Sequence, residues 1–482
     1  MFDMMRFTSY LIAALLMATP ALAQSVQTKQ YDDGGIYEGQ FLGGLQHGQG
    51  TYTLPNGYQY EGEWFEGEIR GNGVAQFPNG SLYKGEFEAG KPEGSGLINF
   101  ADGGSYEGDW LDGKITGRGI ARYANGVVYE GDFRNAMHHG QGTMTSLGGY
   151  IYAGTWLNGV KEGEGSITYP DGALYVGSLV SGERQGMGSL TMPDGLVYEG
   201  TWAAGQIEGT GRLIQPNGDI YEGNLVAGQR QGLGTVTYAN SDVYTGNFKN
   251  DLRNGNGTFT SVGGYNYTGE WVDGQNEGNG EVTYPDGSTF VGNFVSDLAQ
   301  GKGIITYPDG STYEGGWEAG VINGFGIAAY ANGIVYEGEF LNAKNHGTGT
   351  MRYVDGYTYV GTWEEGQRSG FGTATYADST IYEGEFVNGQ RNGTGKIIMP
   401  DGFIYQGQWS AGEIAGTGTA TYTNGDTYNG EFRSGRRQGN GTMTYASSGQ
   451  VADGEWRDGA LVAQRTGSPA LDGAESAEPA TD

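Results

Sequence analysis

The chain has 482 residues, of which 95 are Gly, 12 are Pro and none is Cys, 13% are aromatic, and its formal charge is 26 − 56 = −30. The absence of Cys excludes disulfides, a lipid-modified Cys, thiolate metal sites and Cys nucleophiles. The acidic balance argues against nucleic acid, whose phosphates it repels, and Gly without a three-residue period excludes collagen.

Residues 1–23 carry one cation, Arg6, an apolar run from Leu11 to Met17, Pro20, and then Ala21-Leu22-Ala23. A short apolar stretch between a positive charge and an Ala-x-Ala site predicts a secretory signal cleaved before Gln24, and the run is too short to span a bilayer. The protein is therefore expected to be exported, to the periplasm or the extracellular space. Without disulfides it must be held together by packing.

From Tyr37 an aromatic residue recurs every 23 residues through 18 copies, as Tyr60, Tyr83, Tyr106 and so on to Tyr428, with Phe290 the one substitute for Tyr. With that aromatic as position 1, Gly occupies positions 3, 12 and 14 in every copy. A fixed period of this length means a repeat array. Residues 24–459 form it, with partial capping repeats at both ends: Tyr31-Asp-Asp-Gly34 reads as half of a preceding copy. At the other end, Gly454-Glu455-Trp456 is displaced by one residue, and Val451-Ala452 stands where a Tyr is expected. Residues 460–482 carry Pro469, Pro479, five charges and no period, and are predicted to be a disordered tail.

Each copy reads Tyr-x-Gly-x-Trp/Phe, a Gly-containing link of about six residues, Gly-x-Gly opening an alternating run, and a turn such as Pro55-Asn56-Gly57 or Pro170-Asp171-Gly172. Asn-Gly or Asp-Gly between alternating runs signals a hairpin. The predicted fold class is all-β, an elongated repeat protein built as a single twisted antiparallel sheet of successive hairpins. Positions 1, 3, 5, 14, 16 and 18 share a dry face, and the polar neighbours at 2, 4, 15 and 17 share a wet one.

Position 5 alternates Phe (or Leu179, Leu225) with Trp, and slips once between Leu225 and Phe248, as a block of 9 × 23 = 207 residues copied in tandem would leave it. Of the eight Trp copies five have Ala at position 16, and no Phe or Leu copy does. Compensating volumes indicate a close-packed interior. The predicted repeat core thus includes Tyr60, Trp64 and Ala75, Tyr106, Trp110 and Ala121, and Trp156, Trp271, Trp317, Trp363 and Trp409. Tyr58, Tyr150, Tyr265 and Tyr357, two residues before position 1 in only four copies, are the candidates for exposed contacts.

The pattern Tyr-x-Gly-x-Trp/Phe-x-x-Gly-x-x-x-Gly-x-Gly on a period of 23 resembles the MORN repeat family, from about Tyr31 to Gly459. The resemblance implies an elongated twisted sheet with aromatics along a groove. It also implies a scaffold, a homodimer or a membrane-tethering module, as in junctophilins. Some plant phosphatidylinositol phosphate kinases carry such repeats as an accessory array, and the array here leaves no room for a kinase domain.

Of the four His, His47, His139 and His346 occupy position 11 and His138 precedes one of them. His47 and His139 are four repeats apart, roughly 38 Å at two strands of about 4.8 Å each per repeat, so they cannot share a metal or a triad. Acidic residues recur at position 2 and at the turns, without an EF-hand loop or a Ca²⁺-binding nonapeptide, and read as solvated charge that discourages edge-to-edge association. No catalytic residue, cofactor or metal site is expected, and no Lys/Arg stripe is visible along the chain. The expected function is a non-catalytic extended scaffold or protein-interaction array with protein partners. A phospholipid tether is disfavoured by charge, and glycan binding by the aromatic stripe is disfavoured by the volume compensation.

Overall fold

A computed structural model describes residues 25–465; the signal segment and the chain beyond Arg465 lie outside the described residues. Two compact units, Met1–Pro216 and Asn217–Asp482, divide the chain. Among the described residues the first contains 17 strands, from Gln27–Gln30 to Gln206–Ile214, and the second 22, from Ile220–Val226 to Ala460–Gln464. Within each unit successive strands pair antiparallel in sequence order, and no described residue is helical, so the all-β hairpin repeat is realised.

The local rules are clear in the first elements: β1 (Gln27–Gln30), β2 (Ile36–Leu42), β3 (Leu45–Thr53), β4 (Gln59–Phe65) and β5 (Glu68–Gln76). β4 and β5 are joined by Glu66-Gly67, with φ of 50° and 90°. Both residues are left-handed, as the type I′ turn requires to match strand twist. β3 and β4 are joined instead by a wider loop, residues 54–58, in which the N–H of Leu54 donates to the carbonyl of Tyr58 and that of Gly57 donates to Leu54. The Asn-Gly signal therefore marks the wide connection and not the two-residue turn. Pro55 holds φ negative, and Asn56 Oδ1 accepts the N–H of Tyr58 at 3.0 Å, which is an Asx turn.

On the dry face, Gly62 stands opposite Gly73 and the ring of Tyr60 lies over both. A Cβ on Gly73 would come within 2.4 Å of that ring, and one on Gly62 within 2.5 Å of the Gly73 Cα. Beyond this pair the register shifts: Trp64 faces Ile69, and β5 carries two more residues than β4 over the interval. The Tyr60 hydroxyl donates to the carbonyl of Glu63 inside this bulge at 3.0 Å. All seventeen position-1 tyrosines repeat the bond, at 2.7–3.1 Å. Burial pushes their hydroxyl pKa upward, for Tyr83 to about 12.

The predicted core is buried in every member but one, Trp317, which is half-buried. The volume compensation between positions 5 and 16, however, is not made by direct contact. Ala75 stands opposite Tyr60 and Tyr83, whereas Trp64 faces Ile69 and, on the other side, Gly48. The Trp64 indole leans into the preceding repeat, where its N–H donates to the carbonyl of Gly50 at 3.2 Å and its ring meets Tyr37 and Tyr52 edge-on at 5.0 and 6.0 Å. All nine Trp make the equivalent bond to the preceding repeat, at 2.9–3.3 Å. The Tyr ring over the glycine pair separates Trp from the Ala of its own copy, so the size correlation does not arise from cross-strand contact.

The boundary drawn at Ala460 is also corrected. Ala460–Gln464 is a strand, with Ala460 opposite Arg457 and Leu461 opposite Trp456, because the last hairpin needs a second strand to cover its Trp. The extra residue before it is absorbed in the loop, where Tyr445 N–H reaches Gln450, so Trp456 still donates to Gly441 at 2.9 Å.

Two substitutions test this core. Gly73→Ala should destabilise its neighbourhood by about 1–3 kcal/mol through overpacking, while Gly148→Ala, with open space around it, should stay within about 0.5 kcal/mol; hydrogen exchange by repeat resolves both. Trp110→Ala should cost about 3–5 kcal/mol. In a double-mutant cycle, Trp110→Phe and Ala121→Ile should couple by less than about 0.5 kcal/mol, because Tyr106 covers Gly108 and Gly119 between them. Strong coupling would contradict this geometry.

Candidate interaction face

From the two-residue turn outward, the dry face of each hairpin presents position 10, the ring at position 5, Tyr at position 1 on its two glycines, position 16, and positions 18 and 22 in the wide loop. Position 10 is a cation in seven copies: Lys161 and Arg184 in the first unit, and Arg230, Arg253, Arg368, Arg391 and Arg437 in the second. The guanidiniums lie over rings. Arg184 and Arg253 are 4.1 Å from the centroids of Trp202 and Trp271, Arg391 and Arg437 are 4.5 Å from Trp409 and Trp456, and Arg230 and Arg368 are 5.3 Å from Phe248 and Phe386. Each also donates an N–H to a turn carbonyl of the next repeat, that of Gly205, Asp251, Gly274, Gly389, Gly412 or Gly459.

No copy has a carboxylate at position 10, 16 or 18. At position 22, Asp219, Asp242 and Asp426 each accept a backbone N–H from the following loop. The ring face is thus cationic along position 10 in an acidic protein, which corrects the expectation of no Lys/Arg stripe. These cations are at least 23 residues apart in sequence, and within each unit only hairpin stacking aligns them.

None of the four candidate contact tyrosines is fully exposed; Tyr58, Tyr150, Tyr265 and Tyr357 are half-buried. Their rings rest on those of Phe77, Tyr169, Tyr284 and Tyr376 in the next loop, at 5.0–6.3 Å. Three of their hydroxyls reach position 10, at Lys161, Asn276 and Arg368. More open rings lie at position 18, which the sequence reading passed over: Tyr123, Tyr307 and Tyr330 are exposed.

On the wet face some of the acidity is structural. Asp109 and Asp132 at position 4 accept the N–H of Arg118 and Gln141 at 2.8 and 2.9 Å, closing the bulge, and Glu93 and Glu162 at position 11 accept turn N–H groups of the next repeat at 2.8 Å. The signal was present, since every copy except Gly316 has an acceptor side chain at position 4. In the turns, Asp171 Oδ1 accepts the N–H of Ala173 at 3.0 Å.

The His are apart. His47 lies 5.3 Å from the ring of Phe65, and Nδ1 of His139 and of His346 is buried without a partner among the described residues. Among the described residues no three metal-ligating side chains come together. His138, at position 10, stacks on Tyr129 at 3.7 Å, meets Trp156 edge-on, and has Tyr123 Oη 2.7 Å from Nε2. Burial lowers its pKa below the ordinary 6.5. Between that lowered value and 6.5 the unfolded chain takes up a proton that the folded chain refuses, so the stability His138 contributes is complete above 6.5 and falls as pH drops through this window. An NMR titration of His138 should give a midpoint below 6.5, and His138→Phe should remove the local pH dependence; a midpoint at or above 6.5 would contradict it.

A family model described as MORN repeat matches eighteen segments, from residues 37–57, 60–82 and 83–105 through to 405–427 and 428–450. A comparison with curated proteins finds no match. Among solved structures the chain is similar to the TCP domain of Drosophila melanogaster SAS-4 in complex with a proline-rich motif of Ana2, at 17% identity over 32% of this chain and 85% of that one, with a TM-score of 0.22. It is similar also to the TCP10 domain of Danio rerio CPAP, at 14% identity over 50% and 93%, TM-score 0.17, and to virginiamycin B lyase from Staphylococcus aureus, at 9% identity over 66% and 95%, TM-score 0.11. With the family model matching copy after copy in the phase set by the buried tyrosines, the chain belongs to the MORN repeat family.

Proposed function

We propose that the protein is a non-catalytic extended scaffold, a protein-interaction array exported to the periplasm or the extracellular space. What supports this most is that the same chemistry recurs on the same face repeat after repeat, so that the face offers a series of equivalent contact positions. Protein partners, a second copy of the chain among them, would read this series. The segment 1–23 supports export through its apolar run and Ala-x-Ala site.

The position-10 cations are a specific observation in favour of a second reading, a phospholipid tether, because they would meet anionic headgroups. Against it, the array carries −27 once the tail's −3 is taken from −30, and an anionic bilayer repels that sum. Two measurements test the proposal. The mature N-terminus should be Gln24, with the protein recovered outside the cytoplasm; an unprocessed cytoplasmic chain would overturn export. Vesicles containing phosphatidylglycerol should not retain the protein, and salt-sensitive co-sedimentation would move the function to the membrane surface.

A further inference from the structure

We infer that the ring face of the second unit, along Arg368, Arg391 and Arg437, is a docking site for an acidic segment of a protein partner, lying across the hairpins in the polyproline II conformation. The inference rests on the reading of the protein as an interaction array and names the class of partner. Each arginine of the row donates to a carbonyl in the next two-residue turn. For Arg230 the carbonyl belongs to Asp251, whose carboxylate lies 3.3 Å from the guanidinium and neutralises it. For Arg368, Arg391 and Arg437 it belongs to Gly389, Gly412 and Gly459, and no carboxylate meets these three among the described residues. Arg253 also donates to a glycine, but it shares its hollow with Asp219 and Asp242.

The three unpaired cations are half-buried over Phe386, Trp409 and Trp456, and each keeps N–H donors beyond the one given to its turn carbonyl. Partly desolvated positive charge on a face without carboxylates at positions 10, 16 and 18 is complementary to an anionic occupant. A bilayer would bring its anionic plane against the acidic array as well as against the row, whereas one extended segment meets the row alone.

Spacing sets the conformation. Adjacent repeats are two strands apart, about 9.6 Å at roughly 4.8 Å per strand. A polyproline II helix has three residues per turn and rises about 9.3 Å per turn, so every third side chain lies on one edge at nearly the period of the row. A β-strand would not serve, since residues three apart point to opposite faces. Arg368 and Arg391 are one repeat apart, Ile414 holds the next place and Arg437 the one after. The matching side chains are therefore acid, acid, apolar and acid, in steps of three. Aromatic surfaces are the usual platform for this conformation, and Tyr382 and Trp409 lie beneath Arg391.

The test uses the full chain and two fluorescent synthetic peptides, Glu-Pro-Pro-Glu-Pro-Pro-Leu-Pro-Pro-Glu and the same sequence reversed, because a polyproline II helix has a direction. Anisotropy should show saturable binding of one of them, lost towards about 1 M salt, where the Debye length is about 3 Å. A peptide of the same composition with its acids in steps of four should bind about tenfold more weakly, as loss of a charge-assisted hydrogen bond requires. In either direction the middle acid faces Arg391. Replacing that acid with glutamine, which leaves the array intact, and Arg391→Gln should each cost about tenfold, and together no more than either alone. Arg433→Gln, at an exposed cation of the wet face, should change nothing. Binding of neither peptide, equal affinity for the one in steps of four, additive costs in the cycle, or an equal loss in Arg433→Gln would overturn the proposal. The peptides test neither export nor the other hairpins, so these failures would leave the scaffold reading in place. Retention on phosphatidylglycerol vesicles that Arg391→Gln abolishes would overturn both, by assigning the row to lipid.

Discussion

Two glycines facing each other under a tyrosine ring are the contact on which the rest of each hairpin depends. Gly62 and Gly73 leave no room for a Cβ on either strand, and the Tyr60 ring fills the space that side chains would have taken. A sheet face is normally covered by a second layer; here the ring folds onto its own strands and supplies that cover. Its hydroxyl then ties off a carbonyl in the bulge, so a fully buried polar group is satisfied within the same repeat. Position 1 thereby serves as core, lid and hydrogen-bond donor together. Phe290 keeps the first two roles and lacks the third.

Coupling between repeats is carried by other residues. The indole N–H at position 5 reaches back to the Gly carbonyl of the preceding copy, and the guanidinium at position 10 reaches forward to the next turn and over the next ring. Edge-to-face ring pairs of about 5 Å cross the same boundaries, each worth roughly 0.5–1.5 kcal/mol. Every one of these contacts is with a neighbouring repeat, which is why damage at one position should fray locally and leave distant repeats folded.

The charge distribution follows from the same division of faces. Carboxylates on the wet face are solvated or close bulges and turns, whereas the ring face admits cations because a guanidinium can stack on an aromatic ring while its N–H groups meet carbonyls. An anionic protein thus carries a cationic row where its rings lie. Net charge alone describes neither face.

The sequence by itself determined the period, the strand alternation, the hairpin fold and the burial of the position-1 and position-5 rings, because each is a local pattern of residue type against backbone periodicity. It also contained the acceptor at position 4, legible once a bulge is known to need closing. Tertiary structure decided the rest. Which ring meets which residue depends on register across the glycine pair, and this moved Trp110 away from Ala121 and into the preceding repeat. The half-burial of Tyr58, Tyr150, Tyr265 and Tyr357 depends on the next loop lying within ring contact. Alignment of Arg368, Arg391 and Arg437 into one row exists only when hairpins stack, since residues 23 or 46 apart in the chain become neighbours only through the spacing between strands.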